Sequence, residues 1–192
     1  MSQSFDFRWS LRNETDKHFL LSKIRIIDDL LPNYSYEEYN QKYDFLNMRT
    51  NYKPDYIGEN SLYREIGDQI EKYSRIKLKE INYGDIKSIR TRVYLVSDLS
   101  SPFKECLHVD DTNNHEFGYT LSYHWMGDNN SGGTTFYKSD KDDTPLMNIP
   151  FRRNRLVIFP ARIPHTGYAN QGYSCNSKRV IYTLFTVLNS FT

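Results

Sequence analysis

The sequence is poor in cysteine, in excess charge and in long apolar runs, and each shortage excludes a class of protein. Two cysteines, Cys106 and Cys175, are too few for a disulfide framework or for a zinc site built from thiolates. Lysine plus arginine number 25 and aspartate plus glutamate number 24, so the net charge of +1 disfavours a general binder of nucleic acid or anionic lipid. The longest apolar stretches, 156–160 and 180–188, fall well short of the roughly 20 residues that cross a bilayer.

The N-terminus also lacks the pattern of a secretory signal, because no basic flank in residues 1–8 is followed by an apolar run. A cytoplasmic location is therefore expected, which for a viral protein would be the cytoplasm of the host. The length predicts a single domain, 1–192, and no repeat, low-complexity tract or linker divides the chain. Nothing in the sequence indicates an oligomeric state.

Aromatic residues are abundant, with 16 tyrosines and 11 phenylalanines, and this composition favours strands. Residues 19–27 predict a strand, and two amphipathic helices follow at 36–46 and at about 61–74. From residue 86 onward the pattern predicts six strands: 86–96, 117–126, 134–137, 155–159, 165–169 and 179–188. Helices first and strands afterwards indicate a mainly β fold, a sheet sandwich with N-terminal helices packed on its outside.

Three residues have the types and spacing of a metal site. His108 and Asp110 are two positions apart, so in an extended segment both side chains point to one side and can reach one ion. His165 follows the apolar strand 155–159 and a short connection, which can deliver it as a third ligand. Two imidazoles and one carboxylate form the facial triad that suits non-haem Fe(II), although zinc can also occupy such a site. Each residue taken alone fits an ordinary loop or rim position equally well.

Arg179 is the candidate for binding an anion. If the strands of His165 and Arg179 formed a hairpin centred on Gly172, the two side chains would lie opposite each other and share one face. The guanidinium would then enter the same cavity as the metal, where its planar fork suits a carboxylate. The alternative is that Arg179 faces solvent and that Lys178 is the inward cation.

The strand predicted at 117–126 has two different faces. Tyr119 and Tyr123 fall on one of them, where a phenol can share a carboxylate with Arg179 or can belong to the core. The opposite face is polar and carries Thr120, Ser122 and His124.

Taken in order, these elements resemble the Fe(II)- and 2-oxoglutarate-dependent dioxygenases, and among them the prolyl 4-hydroxylase type that includes the oxygen-sensing prolyl hydroxylases. The resemblance covers roughly residues 85–190, and residues 26–32 are similar to the opening strand of the family. It rests on His108-x-Asp110, Gly132-Gly133-Thr134-Thr135-Phe136-Tyr137, the strand 155–160 that leads to His165, and the later Arg179. The gap from His165 to Arg179 is longer than in the oxygen-sensing enzymes, so the segment between them must bulge or extend.

The resemblance implies a fold and a set of roles. The fold would be a double-stranded β-helix, a cupin-like jelly roll, over 85–192, with an N-terminal strand and supporting helices in 1–84. His108, Asp110 and His165 would bind Fe(II), and Arg179 would anchor the distal carboxylate of 2-oxoglutarate. Tyr123, Tyr119 and Thr183 would assist in binding this cosubstrate.

The implied activity is hydroxylation of a C–H bond by O2, coupled to oxidative decarboxylation of 2-oxoglutarate to succinate and CO2. The aspartate at 110 favours hydroxylation, since related halogenases need a halide where this carboxylate binds. The expected substrate is a prolyl or other amino-acid or peptidyl group or a small molecule, and compact members of the family also occur in bacteriophages. Arg152, Arg153 and Arg155 can either meet an acidic substrate or form a solvated rim.

Two other classes fit parts of the pattern. A non-catalytic jelly-roll binding protein or virion structural protein would share the strands and turns and would need neither iron nor 2-oxoglutarate. A metal-dependent hydrolase or isomerase would keep the three ligands without needing Arg179. Dependence on the cosubstrate separates these classes from a dioxygenase.

Overall fold

Two antiparallel sheets and two helices make up the part of the chain that the computed structural model describes, which is residues 21–43, 55–56, 61–98, 103–104, 106–110, 118–127, 132–139, 142–169 and 178–188. The helices are α1 (Tyr36–Tyr43) and α2 (Ser61–Glu80). The strands are β1 (Arg25–Ile27), β2 (Asp55–Tyr56), β3 (Ile86–Asp98), β4 (Phe103–Lys104), β5 (Gly118–Met126), β6 (Gly133–Ser139), β7 (Asp142–Pro150), β8 (Arg155–Pro160), β9 (His165–Ala169) and β10 (Lys178–Leu188).

The sheets have the strand orders of a jelly roll. The larger sheet has six strands in the order β1-β8-β5-β10-β3-β2, and the smaller has four in the order β4-β9-β6-β7. Every strand pair is antiparallel, and consecutive strands of the chain repeatedly change sheet. The predicted mainly β, double-stranded β-helix fold is confirmed.

The alternation of β5 separates two cores. Its aromatic face, which includes Tyr123 and Trp125, joins the helix-side core with Ile66 and Ile70 of α2. A smaller core between the sheets contains Phe136 of β6 and the β8 side chains on the inner face. One face of β5 therefore packs against the helices, and the other faces the space between the sheets.

The helices begin where the sequence predicts. The Ser35 hydroxyl accepts a hydrogen bond from the Glu38 amide at 3.3 Å and caps α1, whose first turn is acidic. The predicted end of the second helix near residue 74 is too early, because buried Leu78 continues its apolar stripe to Glu80. Leu46, the last residue of the predicted first helix, lies outside the described residues.

Two strand predictions differ from the structure. β7, which begins at Asp142 and pairs with β6, is not among the strands that the sequence predicts. The first predicted strand, 19–27, is reduced to Arg25–Ile27, since residues 21 and 22 are helical and 19 and 20 are outside the described residues.

The basic cluster after β7 is largely paired within the protein. The Arg155 guanidinium donates two hydrogen bonds of 2.6 and 3.0 Å to the Asp28 carboxylate, and Arg152 donates a third of 3.0 Å. The guanidinium of Arg153 lies 4.1 Å from the ring centre of Tyr36. These contacts pin the N-terminal segment to the larger sheet and favour a structural role for the cluster.

Gly67 marks a close approach of α2 to the larger sheet. A methyl group at this position would lie 3.0 Å from Tyr182 Cζ and closer still to its hydroxyl oxygen, and Tyr182 is fully buried. Alanine favours helix by about 1 kcal/mol over glycine, but overpacking costs about 1–3 kcal/mol. We expect Gly67→Ala to lower the unfolding midpoint by several degrees in a thermal melt. In a Tyr182→Phe background, which lacks the nearest atom, Gly67→Ala should lower the midpoint by less. An equal decrease in the unaltered and the Tyr182→Phe backgrounds would contradict this explanation.

Candidate metal centre and cavity

The three predicted metal ligands come together at one end of the space between the sheets. His165 begins β9, and the segment 106–110 runs antiparallel beside it through reciprocal backbone hydrogen bonds between His108 and His165 of 2.9 and 3.1 Å. The Asp110 amide donates to the Ala161 carbonyl at 2.8 Å, which fixes the end of the segment. The ligating atoms of His108, Asp110 and His165 all lie within 4.8 Å of one another.

Both imidazoles direct Nε2 towards the carboxylate of Asp110. His108 Nδ1 lies 2.8 Å from the Cys106 carbonyl oxygen and His165 Nδ1 lies 2.8 Å from the Ile163 carbonyl oxygen. Because a carbonyl only accepts, each Nδ1 carries a hydrogen, which leaves Nε2 of each ring as the nitrogen that can bind a metal. These Nε2 atoms lie 3.4 and 3.5 Å from the two oxygens of Asp110.

The charges of the site suit a divalent cation. Burial raises the pKa of Asp110, but the neighbouring His165, His108 and Thr120 together lower it by more than burial raises it. The pKa of Asp110 therefore lies below its ordinary value. Two imidazole nitrogens and a carboxylate oxygen therefore converge on one point, an arrangement that a cation completes. Orientation of ligating histidines by backbone carbonyls is the usual support of such sites. The donor set thus fits a metal ion.

The two imidazoles of the centre differ in exposure. The His165 ring is 7% exposed and packs edge-on against Phe159 at 4.8 Å, whereas the His108 side chain is 40% exposed. Within the described residues, His108 is therefore the ligand on the solvent side, and His165 lies against the inter-sheet core that contains Phe159.

A cavity of about 80 Å³ extends from this centre between the sheets. It has room for several water-sized groups, and thus for a small bidentate ligand beyond the metal. Its other wall is formed by the larger sheet. The lining residues are His108, Asp110, Thr120, Ser122, Thr134, Phe159, His165, Gly167, Arg179, Ile181, Thr183 and Phe185.

Arg179 lies in the wall of this cavity and is only 2% exposed. Its Nη1 donates to the Tyr168 carbonyl oxygen at 2.5 Å, and its Cζ lies 5.9 Å from the ring centre of Phe151. Thr183, four positions along β10, lines the same wall. The side chain of Lys178, the alternative cation, lies outside the described residues.

The hairpin that led to Arg179 is wrong, although the residue does share the cavity with His165. The strand of His165, β9, pairs with β4 and β6 in the smaller sheet, and the strand of Arg179, β10, pairs with β3 and β5 in the larger one. The two side chains meet across the gap between the sheets and are not cross-strand neighbours.

Tyr119 and Tyr123, which the resemblance assigns to the cosubstrate, are not among the residues that line the cavity. Both lie on the face of β5 that packs towards the helices, where the Tyr119 ring meets Tyr83 at 5.6 Å. The Tyr123 hydroxyl donates to Asn154 Oδ1 at 2.8 Å, and the Asn154 amide group also bonds both backbone groups of Leu31. The two phenols therefore stabilise the helix side of the sheet.

His124, on the polar face of β5, was missed as a candidate. It is fully buried and stacks on Phe151 at 4.7 Å, and Nδ1 accepts the Arg152 amide at 3.2 Å. Burial, with the charges of Arg179 and Arg155, lowers the pKa of His124 to about 3, so the ring is neutral and its hydrogen is on Nε2. Among the described residues this N–H has no acceptor. The signal was its position on the same face as Thr120 and Ser122.

Comparisons with known proteins support the fold. No family model matches the sequence, and no curated protein matches it. Among solved structures, the chain is similar to the viral collagen prolyl hydroxylase vCPH of Paramecium bursaria Chlorella virus-1, with a TM-score of 0.54 and 15% identity, over 86% of this chain and 91% of that one. That neighbour is a hydroxylase, and its likeness at this identity concerns the jelly-roll fold. Within the described residues, no helix has the length and apolar character needed to cross a membrane.

Proposed function

We propose that the protein is an Fe(II)- and 2-oxoglutarate-dependent oxygenase that hydroxylates a C–H bond. One observation carries this proposal: a triad of two imidazoles and one carboxylate stands at one wall of a cavity whose other wall holds a buried guanidinium. A hydrolase or isomerase with the same triad has no use for a buried cation at that place. A structural jelly roll would have no reason to bury Asp110 and Arg179 around one cavity, because buried charges cost stability.

The three ligands would hold Fe(II) on one face and leave the other positions open. Bound there with 2-oxoglutarate and O2, the iron supplies the oxidation that converts R–H to R–OH while 2-oxoglutarate becomes succinate and CO2. The protein's residues do the placing. His165 and Asp110 fix the buried side of the ion, and the exposed edge of His108 leaves the approach to it open.

The distal carboxylate of 2-oxoglutarate would bind at the Arg179 side of the cavity. The guanidinium provides one positive charge and a pair of parallel donors. Thr183 adds a hydroxyl in the same wall. Among the described residues that line the cavity, Arg179 is the one arginine or lysine, and its single charge matches a carboxylate.

The organic substrate would enter from the exposed side of His108. A prolyl or other amino-acid or peptidyl group is the proposed class, supported by the resemblance of the sequence to prolyl 4-hydroxylases and by the fold likeness to a viral collagen prolyl hydroxylase. We also propose a bacteriophage source and a cytoplasmic location, and both of these proposals come from the sequence alone.

Thermal unfolding of the metal-stripped protein tests the proposal, with Mn(II) as an oxygen-inert substitute for Fe(II), with 2-oxoglutarate, and with both. A ligand at 100 times its Kd stabilises the native state by about 2.7 kcal/mol, which corresponds to about 5–11 °C for a chain of this size. We expect the two ligands together to raise the midpoint by more than the sum of their separate effects, because the metal completes the cosubstrate site.

The other outcomes identify the other classes. A shift with Mn(II) that is indifferent to 2-oxoglutarate would favour the hydrolase or isomerase. No shift with either ligand would favour a binding or structural jelly roll. Succinate production from 2-oxoglutarate by the Fe(II)-loaded protein, measured under air and under nitrogen, then checks the oxygenase chemistry directly.

A further inference from the structure

A hydrogen bond inside the cavity links the candidate metal centre to the larger sheet. The Thr120 hydroxyl donates to Asp110 Oδ2 at 2.5 Å, a length typical of a hydroxyl bound to an ionised carboxylate. The two residues come from different parts of the fold, since Asp110 belongs to the segment beside β9 and Thr120 belongs to β5. The contact therefore bridges the two walls that enclose the cavity.

The donor is held more firmly than the acceptor. Thr120 is 1% exposed and sits in a strand paired on both sides, opposite Phe159 of β8 and Phe185 of β10. Its β-branched side chain has few rotamers, so the position of the hydroxyl is fixed by the sheet. Asp110 lies outside the named strands, and within the described residues its backbone is held by the bond from its amide to the Ala161 carbonyl. The hydroxyl therefore determines the orientation of the carboxylate.

We propose that Thr120 is a positioning residue of the metal centre, which engages Oδ2 of Asp110 so that the carboxylate gives the metal one oxygen. The inference rests on the proposed function. A carboxylate free to rotate could chelate the ion with both oxygens and take a position that the cosubstrate or O2 needs. The Thr120 hydroxyl opposes this chelation, because turning Oδ2 to the ion would break a short charge-assisted bond.

The consequence can be measured as metal affinity. Partners that orient a metal ligand typically change affinity by about 10–100-fold when they are removed. We expect Thr120→Val, which keeps the branched shape and removes the hydroxyl, to weaken Mn(II) binding to the metal-stripped protein by this factor. Thr120→Ser, which keeps the hydroxyl, should restore most of the affinity. Free Mn(II) measured by electron paramagnetic resonance gives the dissociation constants without any turnover.

A matched control is available on the same strand face. Ser122 lines the same cavity two positions along β5, and Ser122→Ala removes a hydroxyl without touching the bond to Asp110. This variant should bind Mn(II) as the unaltered protein does. Thr120→Ala serves as a second variant should the valine substitution prevent folding, which far-UV circular dichroism of the metal-stripped proteins reports.

A spectroscopic readout separates positioning from general loosening of the fold. At saturating Co(II), the visible absorption of the bound ion depends on its coordination number, and we expect it to change in Thr120→Val and to return in Thr120→Ser. Equal Mn(II) affinity and an unchanged Co(II) spectrum in Thr120→Val would overturn the role of Thr120 and leave the metal site standing. If the unaltered protein binds no Mn(II), the proposed function and this inference both fail.

Discussion

Replacing Asp110 with asparagine should weaken divalent-metal binding by more than about 100-fold and abolish succinate formation. The expected loss exceeds the 10–100-fold cost of losing an orienting partner, because this variant removes the anionic ligand of the triad. The carboxylate is the only formal negative charge among the three ligands, and a neutral amide binds Fe(II) poorly. Mn(II) titration and the succinate assay measure the two effects separately.

The control for Asp110→Asn is Asp85→Asn, which makes the same chemical change at an exposed carboxylate before β3. The control should keep both properties of the unaltered protein. His165→Ala should behave as Asp110→Asn does, since it removes the most buried ligand. Full succinate formation by either triad variant, with the fold intact by circular dichroism, would contradict the metal assignment.

Spacing within the sequence was enough to pair two members of the candidate triad but not the third. His108 and Asp110 are separated by one residue, which fixes their relative direction in any extended segment. His165 follows a buried strand bounded by prolines, and its place beside that pair depends on a backbone bridge between distant segments. Only the ordered resemblance to a family indicated this long-range pairing.

Arg179 lines the cavity as the sequence predicts, although the geometry that led to this prediction is wrong. Symmetry about Gly172 predicted a hairpin, but β9 and β10 belong to different sheets. The jelly roll brings alternate strands of the chain to opposite walls of one cavity, so two side chains can meet without being hydrogen-bonded neighbours. Local sequence rules describe adjacent strands, and contacts between sheets lie beyond them.

The alternation of β5 was predictable, but the side that faces the cavity was not. Period two assigns Tyr123 and His124 to opposite faces without stating which face meets the helices. The aromatic face lies against the helices, where Ile66 and Ile70 of α2 belong to the core that covers it. Burying polar side chains lowers the stability of a protein unless they find hydrogen-bond partners or a ligand. The polar face of Thr120, Ser122 and His124 is therefore a better indicator of a site than the aromatic face.

Arg179→Met should abolish the stabilisation by 2-oxoglutarate and leave Mn(II) binding nearly unchanged. Methionine preserves the length of the side chain and removes the charge that would pair with the distal carboxylate. Arg179 lines the cavity but is not among the triad, so the metal ligands stay in place. In the presence of Mn(II), the shift of about 5–11 °C expected at 100 times the Kd of 2-oxoglutarate should disappear.

Three comparisons determine which group carries this effect. Lys178→Met removes a cation from the adjacent position of β10 and should keep the full response to 2-oxoglutarate. Tyr123→Phe should keep it as well, losing only about 1 kcal/mol of stability with the hydrogen bond to Asn154. A full response in Arg179→Met together with a lost response in Lys178→Met would transfer the anchoring role to Lys178. Loss of Mn(II) binding in Arg179→Met would show that the buried guanidinium supports the metal centre itself, because a cosubstrate anchor has no effect on metal affinity alone.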